Sequence, residues 1–315
     1  MSSPLDRSSA DIGVVYFDGG TAHRSTTFAL VEAINRAAGR ARAEPVDALE
    51  LFAQDPGFSR IVGTGVRFFN SLLRSERVFA LEFWLKVGRF AHDSQSSPRA
   101  LERMSRFFEP RPYRVLVSTI PLYNETLYRA LRLVRPSAIG VTAVVDFDEP
   151  IARYWFSPRA GAQHYLCYND VQLEQARERD PSAKAHRIRG PIVHPDFGAP
   201  LDGAARAREL AALGLPSDRP VGLLSFGGQG SSRLRELGTL LDEVGRDFSA
   251  IYVCGRDRRS QDVLRGLRAR HPKAVLGFST EMPRLLRLAD FFIGKPGPLS
   301  IAEAIASGTP PILFR

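Results

Sequence analysis

The sequence lacks most of the features that would narrow its function quickly. It has two cysteines in 315 residues, Cys167 and Cys254, far apart and each inside an apolar strand-like run. That argues against a disulfide framework and reads as two reduced core thiols in a cytosolic protein. No apolar run approaches the roughly 20 residues needed to cross a bilayer. The opening MSSPLDRSSAD has no apolar signal core, which argues against secretion. The six histidines (His23, His92, His164, His186, His194, His271) include no HxxxH pair, which argues against a bound metal. Zinc-finger spacing, basic-region heptads and an RNP aromatic motif are all missing, so nucleic acid is not an expected partner.

What is present is positive charge: 43 Lys and Arg against 34 Asp and Glu, a formal net charge of +9 and a pI near 10.0. That balance favours anionic partners such as phosphorylated small molecules or acidic lipid surfaces. Arginine excess is also common in proteins of high-GC genomes.

The order of apolar runs predicts an α/β architecture. Strand patterns at 12–17 (IGVVYF), 45–49, 114–118 (RVLVS), 139–145 (IGVTAVV), 164–168 (HYLCY) and 187–189 alternate with helical spacing at 22–38, 121–134 and 170–179. Continuous apolar strands in βαβ alternation indicate a doubly wound parallel sheet. A polar, Ala/Arg-rich stretch at 197–219 reads as a connection. A second alternation follows, with strands at 221–226, 250–254, 274–276, 290–293 and 312–314. Two Rossmann-like domains are therefore expected, 1–197 and 198–315. Residues 57–90 break the alternation. They are helical in pattern, rich in Phe, Trp and Leu and dotted with arginines. They fit either an amphipathic insertion packed on its own domain or an interfacial element on an anionic membrane.

Three strand-to-helix turns carry candidate chemistry. "DGGTAHRST" (18–26) places Asp18 just past a strand end, where open α/β sheets hold ligands. Asp18 is a candidate general base and His23 its partner or an alternative base. Asp18 also fits an ordinary turn residue. "LLSFGGQGSSRL" (223–234) lets the backbone approach a phosphate beside a helix start, and equally fits a tight βα connection. In "GKPGPLSIAE" (294–303), Ser300 and Glu303 match a capping box. Alternatively, Glu303 accepts hydrogen bonds from ligand hydroxyls.

Together these turns resemble the monogalactosyldiacylglycerol synthase and processive diacylglycerol glucosyltransferase type of family, a glycosyltransferase family 28-like group. "DGGTAHR", "VVDFDEPIARYWFSP", "RIRGPIVHPDF", "SFGGQGSS" and "GFSTEMPRLLRLADFFIGKPGPLSIAEAI" match its segments in order. The resemblance implies a GT-B fold: two facing Rossmann domains, with a lipid acceptor on the first and a UDP-sugar on the second. It implies Asp18 and His23 as catalytic residues, with Gly19, Gly20 and Trp155 at the acceptor. It implies donor binding by His194, Gly228, Gly230, Ser231, Phe278, Ser279, Lys295, Gly297, Leu299, Ser300 and Glu303. No cofactor or metal is implied, and 57–90 falls at the family's membrane-docking insertion, giving a cytoplasmic protein peripheral to the inner face of the membrane. His194 stands where the family has an arginine. The family continues beyond the last strand seen here, so the second domain is expected to be incomplete at its C-terminus. A polyprenyl-linked or natural-product acceptor, and a catalytically inactive nucleotide- or lipid-binding homologue, remain alternatives.

Overall fold

The computed structural model describes residues 10–17, 22–37, 39–57, 59–60, 62–65, 97–146, 154–244 and 247–314. Asp18, Gly19, Gly20 and most of the 57–90 stretch lie outside the described residues. The chain forms two compact units, Met1–Ile192 and Val193–Arg315. The division precedes the expected 197/198 boundary because Val193, Phe197 and Leu201 pack into the core of the second unit.

In the first unit the order is β1 (Ile12–Tyr16), α1 (Ala22–Arg36), β2 (Ala43–Asp47), α2 (Ala48–Phe52), α3 (Pro98–Ser105), β3 (Val115–Ser118), α4 (Asn124–Val134), β4 (Ile139–Ala143), β5 (Gln163–Cys167), α5 (Asp170–Arg179) and β6 (Lys184–Arg187). The strands form one parallel sheet in the order β2-β1-β3-β4-β5-β6. From β1 the chain goes first to β2 on one side and then to β3 on the other. The β1/β3 crevice is thus a topological switch point, where an open sheet receives ligands at the carboxyl ends of its strands.

The second unit contains α6 (Gly203–Ala212), β7 (Val221–Ser225), α7 (Arg233–Val244), β8 (Ser249–Val253), α8 (Arg258–Gly266), β9 (Lys273–Leu276), α9 (Met282–Leu288), β10 (Phe291–Gly294), α10 (Pro298–Ala306) and β11 (Pro311–Leu313). Its parallel sheet runs β11-β10-β7-β8-β9. Every residue of β7 and of β8 is buried, as expected for central strands covered on both faces. The switch point here lies between β7 and β10.

The stretch 197–219, expected to be a plain connection, contains α6. Its start is fixed by Asp202, whose carboxylate accepts from the Ala205 N–H at 2.8 Å.

Candidate active site at two switch points

In the first unit His23 lies in the first turn of α1. Its Nδ1 is 2.6 Å from the carbonyl oxygen of Thr119, the residue that follows β3. A carbonyl only accepts, so Nδ1 carries the hydrogen, and in the neutral ring Nε2 is the nitrogen left to accept. Thr119 is held in turn. Its main-chain N–H donates to the Val15 carbonyl at 3.1 Å, and its hydroxyl lies 2.8 Å from that of Thr27. The β1/β3 switch point therefore presents an imidazole of fixed tautomer.

Trp155 was expected to line the acceptor. The structure buries it completely. Its Nε1–H donates to Asp146 at 3.1 Å, and its ring lies 6.0 Å from the His23 ring. Trp155 backs His23 from the core rather than offering an open wall.

In the second unit the glycine turn begins where β7 ends. Gly227 (φ 94°) and Gly230 (φ 80°) occupy left-handed conformations, which cost glycine nothing. The Gly230 N–H closes the turn on the Gly227 carbonyl at 3.0 Å. A β-carbon on Gly230 would sit 2.5 Å from the Cys254 carbonyl oxygen. Gly228 points its carbonyl at the β8 loop, where the Arg256 N–H donates to it at 3.0 Å. Ser231 Oγ accepts from the Arg233 N–H at 3.2 Å, which holds the start of α7.

Lys295 enters from the other side of the switch point, at the end of β10. Its Nζ lies 3.6 Å from the position of a Gly227 β-carbon. Three residues later α10 begins. Gly297 is its N-cap and Pro298 its first residue, and no side chain caps it. Pro298 has no N–H, so the Leu299 and Ser300 N–H groups head an uncapped nine-residue helix beside the glycine turn. Uncapped N–H groups and the helix dipole favour an anion there. The Leu299 side chain is buried and packs, leaving its backbone as the polar part.

The capping-box reading of Ser300 and Glu303 fails. Proline at the first position starts the helix at Pro298, so Ser300 is already its third residue. Glu303 is half-buried. Among the described residues its carboxyl has no hydrogen-bonding or ionic partner. Burial pushes its pKa up to about 8.

The remaining expected donor residues divide. Phe278, after β9, is 49% exposed. Ser279 spends its hydroxyl locally, accepting from the Glu281 N–H at 3.0 Å. His194 opens a turn at Pro195–Gly198, and its Nδ1 accepts from the Asp196 N–H at 3.3 Å. That turn packs against α9 and α10. Two residues escaped the sequence reading: Thr119, which orients His23, and Arg256.

No protein-family model matches the chain. Its fold is that of known GT-B proteins. It aligns with a glycosyltransferase from Rickettsia africae at a TM-score of 0.55 and 12% identity, covering 96% of this chain and 79% of that one. It aligns with Anabaena HepE, solved with UDP and glucose, at 0.52 and 14% identity over 96% and 80% of the two chains. The class is thus a two-domain, Rossmann-like protein of the GT-B fold. Within it, the chain is a relative of the monogalactosyldiacylglycerol synthases and processive diacylglycerol glucosyltransferases, a family 28-like group. It is 25% identical over 317 residues to a probable monogalactosyldiacylglycerol synthase 2 of rice, covering 95% of this chain. It is 29% identical over 206 residues to the processive diacylglycerol beta-glucosyltransferase of Bacillus pumilus, covering 64% of this chain. The chain spans 65% of the rice protein's length and 51% of the Bacillus protein's.

Proposed function

We propose that this chain belongs to a glycosyltransferase that moves a hexose from a UDP-sugar to the hydroxyl of a diacylglycerol-like lipid, with inversion and without a metal ion. The observation that carries the reading is the β7/β10 switch point. There a glycine turn, the Lys295 ammonium and an uncapped helix N-terminus converge, the set of groups that holds a diphosphate. The similarity to glycolipid glycosyltransferases supports a sugar donor and a lipid acceptor.

The roles of the residues follow from their chemistry. At the acceptor, a base removes the hydroxyl proton as the oxygen attacks the anomeric carbon. His23 Nε2 is suited to this, because Thr119 holds the hydrogen on the other ring nitrogen. Asp18, five residues earlier in the sequence, is the other candidate base. At the donor, negative charge grows on the departing diphosphate. Lys295 and the uncapped N–H groups at Leu299 and Ser300 offset it without reorganisation. Glu303, ionised, accepts from ligand hydroxyls. A single displacement with one base inverts the anomeric centre. Attachment to the membrane is peripheral, through 57–90 and the basic surface. Among the described residues no helix is long and apolar enough to cross a membrane.

The test is incubation with radiolabelled UDP-glucose or UDP-galactose and diacylglycerol vesicles, followed by lipid extraction. Labelled glycolipid is expected. Label on an added polyprenyl phosphate or soluble aglycone instead would reassign the acceptor. UDP binding without transfer to any of them would identify a binding homologue.

A further inference from the structure

The sheet order β10-β7-β8 places the glycine turn between two loops, and each of them carries a cation. Lys295 stands on the β10 side. Arg256 stands on the β8 side, and its backbone is fixed to the turn. Gly255, in a left-handed conformation (φ 61°), lets the two loops touch: a β-carbon there would be 2.7 Å from the Gly227 and Gly228 carbonyl oxygens. The Arg256 N–H then bonds to the Gly228 carbonyl. The side chain, by contrast, is exposed. Its guanidinium carbon lies 5.1 Å from the centroid of the Phe278 ring. Among the described residues no carboxylate pairs with it. Arg235, on neighbouring α7, is instead tied to Asp257 at 3.3 Å.

We propose that Arg256 and Lys295 form a two-sided clamp on the diphosphate of a nucleoside diphosphate, and that Arg256 rests on Phe278 until that ligand draws it in. The inference builds on the donor reading given above and adds a residue to it. An exposed cation–π contact is weak. A bidentate guanidinium–phosphate contact is among the stronger polar interactions. A diphosphate bound on the glycine turn therefore outcompetes the ring. Arg256 also supplies the permanent charge and planar fork that His194 does not have.

The experiment is calorimetric titration of UDP and UMP into the wild-type chain, Arg256→Ala and Arg256→Lys. Arg256 is exposed, so both variants are expected to fold; circular dichroism checks this. Wild type is expected to bind UDP more tightly than UMP. Arg256→Ala is expected to weaken UDP about tenfold or more and to bring the UDP/UMP ratio close to one. Arg256→Lys is expected to recover part of the loss. An unchanged ratio in Arg256→Ala, or an equal loss of both nucleotides, overturns the clamp and leaves the donor reading standing. If wild type binds neither nucleotide, the donor reading falls and the clamp with it.

Discussion

Lys295 stretches along the open face of Gly227, with its Nζ 3.6 Å from where a β-carbon on that glycine would begin. The pair joins the loops of β7 and β10 at the switch point of the second sheet. Gly227 has φ 94°, so any L-residue there is strained by about 1–3 kcal/mol. Gly227→Ala should therefore lower the urea midpoint of the second unit and weaken UDP as well, because the new methyl group takes the face that Lys295 and a phosphate share. If UDP affinity in calorimetry is unchanged in the folded variant, the glycine turn is only a connection.

Glu303 gives a prediction about protons. Burial raises its pKa from 4.5 to about 8. Between these values the folded chain keeps a proton that the unfolded chain releases. The stability from this group is full below about pH 4.5 and is lost as pH rises through about 8. Glu303→Gln should remove that part of the pH dependence, measured as melting temperature from pH 5 to 9. If the carboxylate accepts from ligand hydroxyls, UDP binding at pH 7 must also expel the proton. Titration in two buffers of different ionisation enthalpy should show release of up to about one proton per UDP. Zero release would mean that Glu303 does not bind as a carboxylate.

His23 is held by Thr119 with Nδ1 as the donor. His23→Ala should lower kcat for lipid glycosylation by about 10²–10⁴ while leaving UDP affinity intact, since the ring is in the first unit and the proposed nucleotide site in the second. Asp18→Ala, assayed in parallel, separates the two candidate bases. The one whose loss also abolishes the ascending limb of the pH–rate profile is the base. A His23→Ala enzyme with wild-type kcat would remove the imidazole from the mechanism.

The central strands were legible because they are continuous apolar runs: 221–226 was read as a strand, and Val221–Ser225 forms one with every residue buried. Helix α6 was not legible. Leu210 is its only buried residue, so no apolar stripe separates it from a polar linker. The Ser300–Glu303 pattern misled for a local reason, since Pro298 claims the first position of the helix and draws the cap back to Gly297. Arg256 was invisible for a topological reason. A cation after β8 matters only because β8 lies beside β7, and adjacency of strands is not written in their succession. The same holds for Thr119, which meets His23 across 96 residues of chain.

His164 and His186 sit on adjacent strands at the far edge of the first sheet, with Nδ1 of one 2.8 Å from Nε2 of the other and rings parallel to within 3°. One nitrogen must donate and the other accept. Burial, then the neighbouring His186 and Lys184, lowers the pKa of His164 below its ordinary 6.5. The unfolded chain therefore binds the proton first as pH falls, and stability drops below about pH 6.5 until the folded-state pKa is passed. The cation at Lys184, paired across the strands with His164, works in the same direction. Melting temperatures at pH 7.5 and 5.5 should differ less in His164→Gln than in the wild type, because glutamine keeps a hydrogen-bonding group and cannot titrate. An identical acid slope in the variant would show that other groups set the acid sensitivity of this unit.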